Sequence, residues 1–148
     1  MTTDLATTGR HRPVGSIWNH LGERTARIHF GPSLSSPATT RNFVERTARG
    51  WGFGDVADVA ELLVSEVVTN AIEHGRSGGL VQVIALPAGL RVEVSDRSTD
   101  PPELRNPSPA EPTGRGLAIV SDLARRWGVD LRRDGKTVWF ELDDVGVL

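Results

Sequence analysis

The sequence predicts an α+β protein: a two-layer α/β sandwich whose mixed, mostly antiparallel sheet carries its helices on one face. Three observations point there. The elements run in the order β-α-α-β-β-loop-α-β-β, the strands come as adjacent pairs joined by short turns, and helical periodicity is confined to the segments between them. A length of 148 residues suits one domain with a core of its own, read as residues 23–148 behind a leader at 1–22.

The leader mixes Thr, Gly, Arg and His without apolar periodicity and reads as flexible. In RTARIHFG, residues 24–31, Ala26, Ile28 and Phe30 alternate with Arg27 and His29, the period-2 pattern of a half-buried strand with His29 on its solvent side. Ser36 as N-cap and Pro37 as first helical residue open a helix that Gly50 or Gly52 closes. Asp55 caps the next helix, which runs to His74 and stops at Gly75. LVQVIAL (80–86) and LRVEVSD (90–96) form a hairpin through PAG. Five prolines between 97 and 113 bar helix and central strand alike, leaving a long loop of the kind that tends to be functional. Helical spacing resumes through Leu117, Ile119, Val120, Leu123 and Trp127 to a stop at Gly128, and a hairpin turning at Asp134-Gly135 closes the chain.

Composition narrows the function classes. No cysteine is present, so disulfides, thiolate metal sites and cysteine nucleophiles are excluded. A net charge of −2 with no Lys/Arg block argues against direct nucleic-acid binding and against a lipid-headgroup partner. No apolar run approaches the roughly 20 residues of a membrane span, and the first residues lack the apolar core of a secretory signal. A soluble, cytoplasmic protein is expected.

Three stretches carry candidate chemistry. On the second helix the core stripe is Val56, Val59, Ala60, Leu63, Val64, Val67, Val68 and Ala71, and Glu66, Asn70 and Glu73 fall within about 60° of one another beside it. A carboxylate one turn before a carboxamide can orient a water and offer oxygen to Mg²⁺, although an isolated E-x-x-x-N is also what a solvated polar face looks like. Asp96 ends the apolar strand VEVSD, where it suits either a base's exocyclic amine or an ordinary turn. In TGRGLAIV two glycines open a helix directly after the loop, an arrangement that suits a phosphate or a plain turn.

Taken in order, E-x-x-x-N-A, an Asp at a strand end, a loop, G-x-G-L on a helix and a Thr-bearing last strand resemble the GHKL ATPase superfamily over residues 24–142. Within it, the short chain resembles the bacterial anti-sigma-factor serine/threonine kinases and the stand-alone ATP-binding regulatory proteins common in actinomycetes. The resemblance implies the histidine-kinase-like ATPase fold with ATP and Mg²⁺ as cofactors. It makes Glu66 the general base or water-orienting residue and Asn70 the Mg²⁺ ligand. Asp96 would recognise the adenine amine, with Thr137 supporting it through a water network, while Gly114, Arg115, Gly116 and Leu117 would lie at the triphosphate. Arg115 would also stabilise developing phosphate charge. The implied partners are an anti-anti-sigma (STAS-domain) protein and a sigma factor, and a homodimer is compatible with the sequence.

The chain departs from the family pattern D-x-G-x-G at Asp96-Arg97-Ser98-Thr99-Asp100, where Ser98 is small enough to replace the first glycine. Two further classes compete with the kinase. One is a nucleotide-loaded module that traps a partner without transferring phosphate. The other is the catalytic half of a histidine kinase, which the lack of a phospho-acceptor helix pair around His11, His20 or His29 disfavours.

Overall fold

A computed structural model of the chain describes residues 16–18, 24–97 and 116–144. Its strands are β1 (Ser16–Trp18), β2 (Arg24–Phe30), β3 (Gly79–Leu86), β4 (Gly89–Asp96), β5 (Arg126–Arg132) and β6 (Gly135–Asp143). The helices are α1 (Ser36–Gly50), α2 (Gly54–Asn70), which continues as a π-helical turn over Ala71–Gly75, and α3 (Gly116–Leu123). The α+β class expected from the sequence holds. Among the described residues one six-stranded sheet has the order β1-β2-β3-β4-β6-β5, and every pairing is antiparallel where a mixed sheet was expected.

Period-2 alternation sorts the strands into two faces. The inner face carries Ala26, Val81, Val83, Leu90, Val92, Val94, Val138, Phe140 and Leu142, all buried. Against it lie Phe43, Val44 and Ala48 of α1 and Ala57, Ala60, Leu63, Val64 and Val68 of α2. The expected α2 stripe is thus the core face, with Val59 alone only partly buried. His29 falls on the outer face and is exposed, as its strand position required.

Several boundaries differ from the expectation, each for a local reason. Ser35 is the N-cap of α1, with Ser36 already helical and its Oγ donating to the Gly31 carbonyl at 2.6 Å. Beyond Gly50, Gly52 takes φ +90 and turns the chain toward α2. Asp55 lies in the first turn of α2, whose N-cap is Phe53. The left-handed residue that ends the α2 run is Arg76 (φ 54), one past Gly75. Within the expected leader, Ser16–Trp18 pair with β2 as an edge strand.

The largest correction concerns residues 124–128. The helix ends at Leu123, because the Arg125 amide bonds the Glu141 carbonyl at 2.8 Å and draws the chain into β5. Trp127 and Gly128 are strand residues. The final turn falls at Arg133-Asp134, and Gly135 is the first residue of β6.

Because β6 inserts between β4 and β5, the end of β4 lies beside the start of β6. This juxtaposition builds the site.

Candidate active site

Helix α2 brings Glu66 and Asn70 to the edge of the core, one turn apart and both half-buried. Just past Asn70 the hydrogen bonding widens to the π-helical turn, a feature frequent at functional sites because it re-aims the residues around it. The helix packs on β4 and β6, the strands that carry the other candidates.

Asp96 ends β4 on the inner face, its side chain only 2% exposed. Lys136 is its register partner on β6, and Nζ donates to Oδ1 at 3.1 Å and to Oδ2 at 3.0 Å. On the other side Asp96 pairs with Gly79, where an added Cβ would sit 2.0 Å from the Ser95 carbonyl oxygen and 2.9 Å from the Phe30 ring. Gly135 is equally constrained, since a Cβ there would fall 2.1 Å from the Asp96 carbonyl oxygen. Two close backbone approaches therefore hold the strand end that presents Asp96.

Thr137 is not beside Asp96. Its Oγ1 shares a hydrogen bond of 2.8 Å with Ser95 Oγ, its register partner, and alternation places that pair on the outer face. Lys136 holds the position next to Asp96 that the resemblance gave to Thr137. The signal was present in the sequence: counting back by twos from Leu142, Phe140 and Val138 puts Lys136, and not Thr137, on the core face.

Of the remaining candidates, Gly116 is the first residue of α3. Leu117 is 2% exposed and belongs to the core, so its side chain is a packing element and only its backbone is left for a phosphate. Ser98, Gly114 and Arg115, like most of the proline-rich loop, lie outside the described residues. An open cleft of ≈ 510 Å³ at this end of the sheet reaches Asp96, Ser95, Gly79 and Phe30, and its lining does not include Glu66, Asn70 or Leu117.

Among the described residues no three His, Cys, Asp or Glu side chains cluster as a metal cage. The half-buried carboxamide oxygen of Asn70 is of the ligand type that fits Mg²⁺, which binds through one or two protein oxygens and completes its octahedron with phosphates and water. Among the described residues no helix is long and apolar enough to cross a membrane.

Comparison with known proteins agrees with this architecture. Residues 32–142 match the model of the histidine kinase-like ATPase domain. An uncharacterized protein of Streptomyces coelicolor is 38% identical over 94 residues, covering 55% of this chain and 89% of that protein. A crystal structure of the RsbU and RsbW domains of a Mycobacterium tuberculosis protein superposes with a TM-score of 0.61 at 23% identity. That match covers 80% of this chain but only 32% of the other, so the chain spans about a third of the structure it resembles. With three quarters of its length inside one family model, and with the fold that model implies, the chain belongs to the histidine kinase-like ATPase domain family.

Proposed function

We propose that this protein is an ATP- and Mg²⁺-dependent protein serine/threonine kinase of the anti-sigma-factor type, which phosphorylates an anti-anti-sigma (STAS) partner and sequesters a sigma factor. One observation carries the reading: α2, which holds Glu66 and Asn70, packs on β4, the strand that ends in Asp96. The RsbW domain of the similar Mycobacterium tuberculosis chain shares this fold, which supports the same assignment.

In this reading Asp96 accepts a hydrogen bond from the adenine amine and sets the orientation of the nucleotide. Asn70 offers its carbonyl oxygen to Mg²⁺, which neutralises phosphate charge when bound. Glu66 takes the proton of the partner's hydroxyl as that oxygen forms a bond to the γ-phosphorus, and the bond to the β-bridging oxygen breaks to release ADP. The amides at Gly114, Gly116 and Leu117 and the Arg115 guanidinium would face the phosphates, with Ser98 lining the approach to the base. The phosphate added to the partner brings charge into its interface and releases it.

The departure from the family pattern at Ser98 favours a second reading, a nucleotide-loaded module that binds its partner without transfer. Incubating the protein with a cognate STAS protein and γ-labelled ATP separates the two. Label on a partner Ser or Thr is expected. ATP-dependent binding without label would establish the module and overturn the kinase.

A further inference from the structure

The end of the sheet where β4 finishes and β6 starts is short of side chains. Gly31 follows β2, Gly78 precedes β3 and Gly135 opens β6. A Cβ on Gly78 would come within 2.2 Å of the Phe30 carbonyl oxygen, so the backbones approach there more closely than any other residue allows. The cleft of ≈ 510 Å³ lies over this bare backbone, with Gly31, Gly78 and Gly79 in its lining.

The side chains around that floor are basic. His29 near the end of β2, Arg97 just past β4 and Arg132 at the end of β5 all line the cleft. All three are exposed, and among the described residues none of them has a side-chain hydrogen bond or ion pair. Gly135 separates the two arginines: it pairs with Arg132, and an added Cβ on it would lie 3.1 Å from the Arg97 Cα. Their backbones are therefore two strand spacings apart, about 10 Å, a span that two long side chains can close onto one ion between them.

Charge at the other end of the sheet is already balanced. Arg91 and Arg126 both bind Glu141 there, and Arg125 binds Asp143. Two carboxylates line the cleft, and one of them, Asp96, is held by Lys136. Among the described residues Asp134 is thus left to offset both Arg97 and Arg132.

Two guanidinium groups and an imidazole over a floor of glycine backbone suit a tetrahedral dianion. A phosphate monoester carries close to two negative charges and three acceptor oxygens, enough to engage both forks, whereas one arginine already satisfies a carboxylate. The cleft is also larger than a bare ion fills and has the volume of a small-molecule site, which leaves room for the group the phosphate is attached to.

We propose that this cleft binds a phosphate monoester, with Arg97 and Arg132 clasping the phosphate and His29 at its side. Since the lining does not include Glu66, Asn70 or Leu117, the ester is a second ligand and not the nucleotide itself. The same chemistry is offered by a small phosphorylated metabolite and by a phosphorylated side chain of a protein.

NMR titration of the full-length protein at constant pH tests this, with glycerol 3-phosphate and N-acetyl-O-phosphoserine amide as the two esters and inorganic phosphate as the bare ion. The ring signals of His29, assigned with His29→Gln, should shift saturably with an ester, and the tighter of the two identifies its source. Inorganic phosphate should bind more weakly. Arg97→Gln/Arg132→Gln should keep the wild-type thermal midpoint, both side chains being exposed and unpaired, and bind the ester at least about tenfold more weakly, the equivalent of one charge-assisted hydrogen bond. Should the double variant not fold, Arg132→Gln alone carries the test with the same expected direction. His29 signals that no ester moves, or that sodium chloride of equal ionic strength moves as far, would overturn the proposal. Affinity unchanged in the arginine variants would overturn it too, and inorganic phosphate binding as tightly as both esters would remove the ester from it.

Discussion

The indole of Trp139 lies over Gly128, its register partner on β5, so closely that a Cβ on Gly128 would come within 2.7 Å of Cζ2. The Arg91 guanidinium covers the same ring at 4.1 Å from its centroid. The outer face of the β4–β6–β5 ladder is thus closed by a cation on an aromatic ring on a glycine, where the inner face is closed by helices.

Gly128→Ala should destabilise the protein by about 1 to 3 kcal/mol, the usual range for an added carbon in a filled space. The urea midpoint would report it. In a Trp139→Ala background the same substitution should be nearly neutral, and a cost unchanged there would show that the glycine serves the backbone and not the ring.

Glu141 joins this face to β5 and β4 at once. Burial alone would raise its pKa, but hydrogen bonds and charge from Arg126 and Arg91 outweigh that and hold it below the ordinary value of 4.5. The contacts are 2.6 Å from Arg126 and 2.9 Å from Arg91. Since the folded state binds this proton less readily than the unfolded chain, the stabilisation is complete above about pH 4.5 and is lost as pH falls through the lowered folded value. Urea midpoints taken at neutral pH and again below pH 4 should fall more steeply in the wild type than in Glu141→Gln. Parallel acid limbs would remove Glu141 from the account.

Gly135 tests the strand end that presents Asp96. Because its Cβ would meet a backbone oxygen, which cannot rotate aside as a side chain can, Gly135→Ala should cost about 1 to 3 kcal/mol and weaken ATP binding as well. Gly50 at the end of α1 has nothing within 4 Å of an added Cβ and is the matched control. Its alanine variant should remain within about 0.5 kcal/mol of the wild type and bind ATP normally.

The two α2 residues should separate binding from transfer. Asn70→Ala should lower Mg²⁺-dependent ATP affinity at least about tenfold, equivalent to about 1.4 kcal/mol, with little change in thermal midpoint, because the side chain is only half-buried at the stripe's margin. Glu66→Gln should retain ATP affinity and lose phosphate transfer to the partner by a factor of about 10² or more. Calorimetry and single-turnover transfer check the two halves; affinity unchanged in the first variant, or transfer unchanged in the second, would reassign the residue concerned.

Much of this was legible along the chain wherever a residue's environment is decided by its near neighbours. The α2 stripe from Val56 to Ala71, the hairpin of β3 and β4, and the α+β class follow from periodicity, which expresses a local geometry of 3.6 or 2 residues. The same holds for Glu66 and Asn70, whose shared helix face depends only on four residues of spacing. Where local signals were ambiguous they misled. Trp127 fits a helical stripe continued from Leu123, and Gly128 reads as its stop, until the pairing with β6 makes both of them strand residues.

What the sequence determined by itself was the class of fold, the core face of each long element and a set of candidate residues for nucleotide chemistry, because these rest on patterning within a segment. Only the tertiary structure decided which of them meet. The insertion of β6 between β4 and β5 is a choice of strand order that no local pattern encodes, and it puts Lys136 rather than Thr137 against Asp96. A one-residue difference in a strand is a change of face, so pairing register decided whether a charge or a hydroxyl stands at the end of β4.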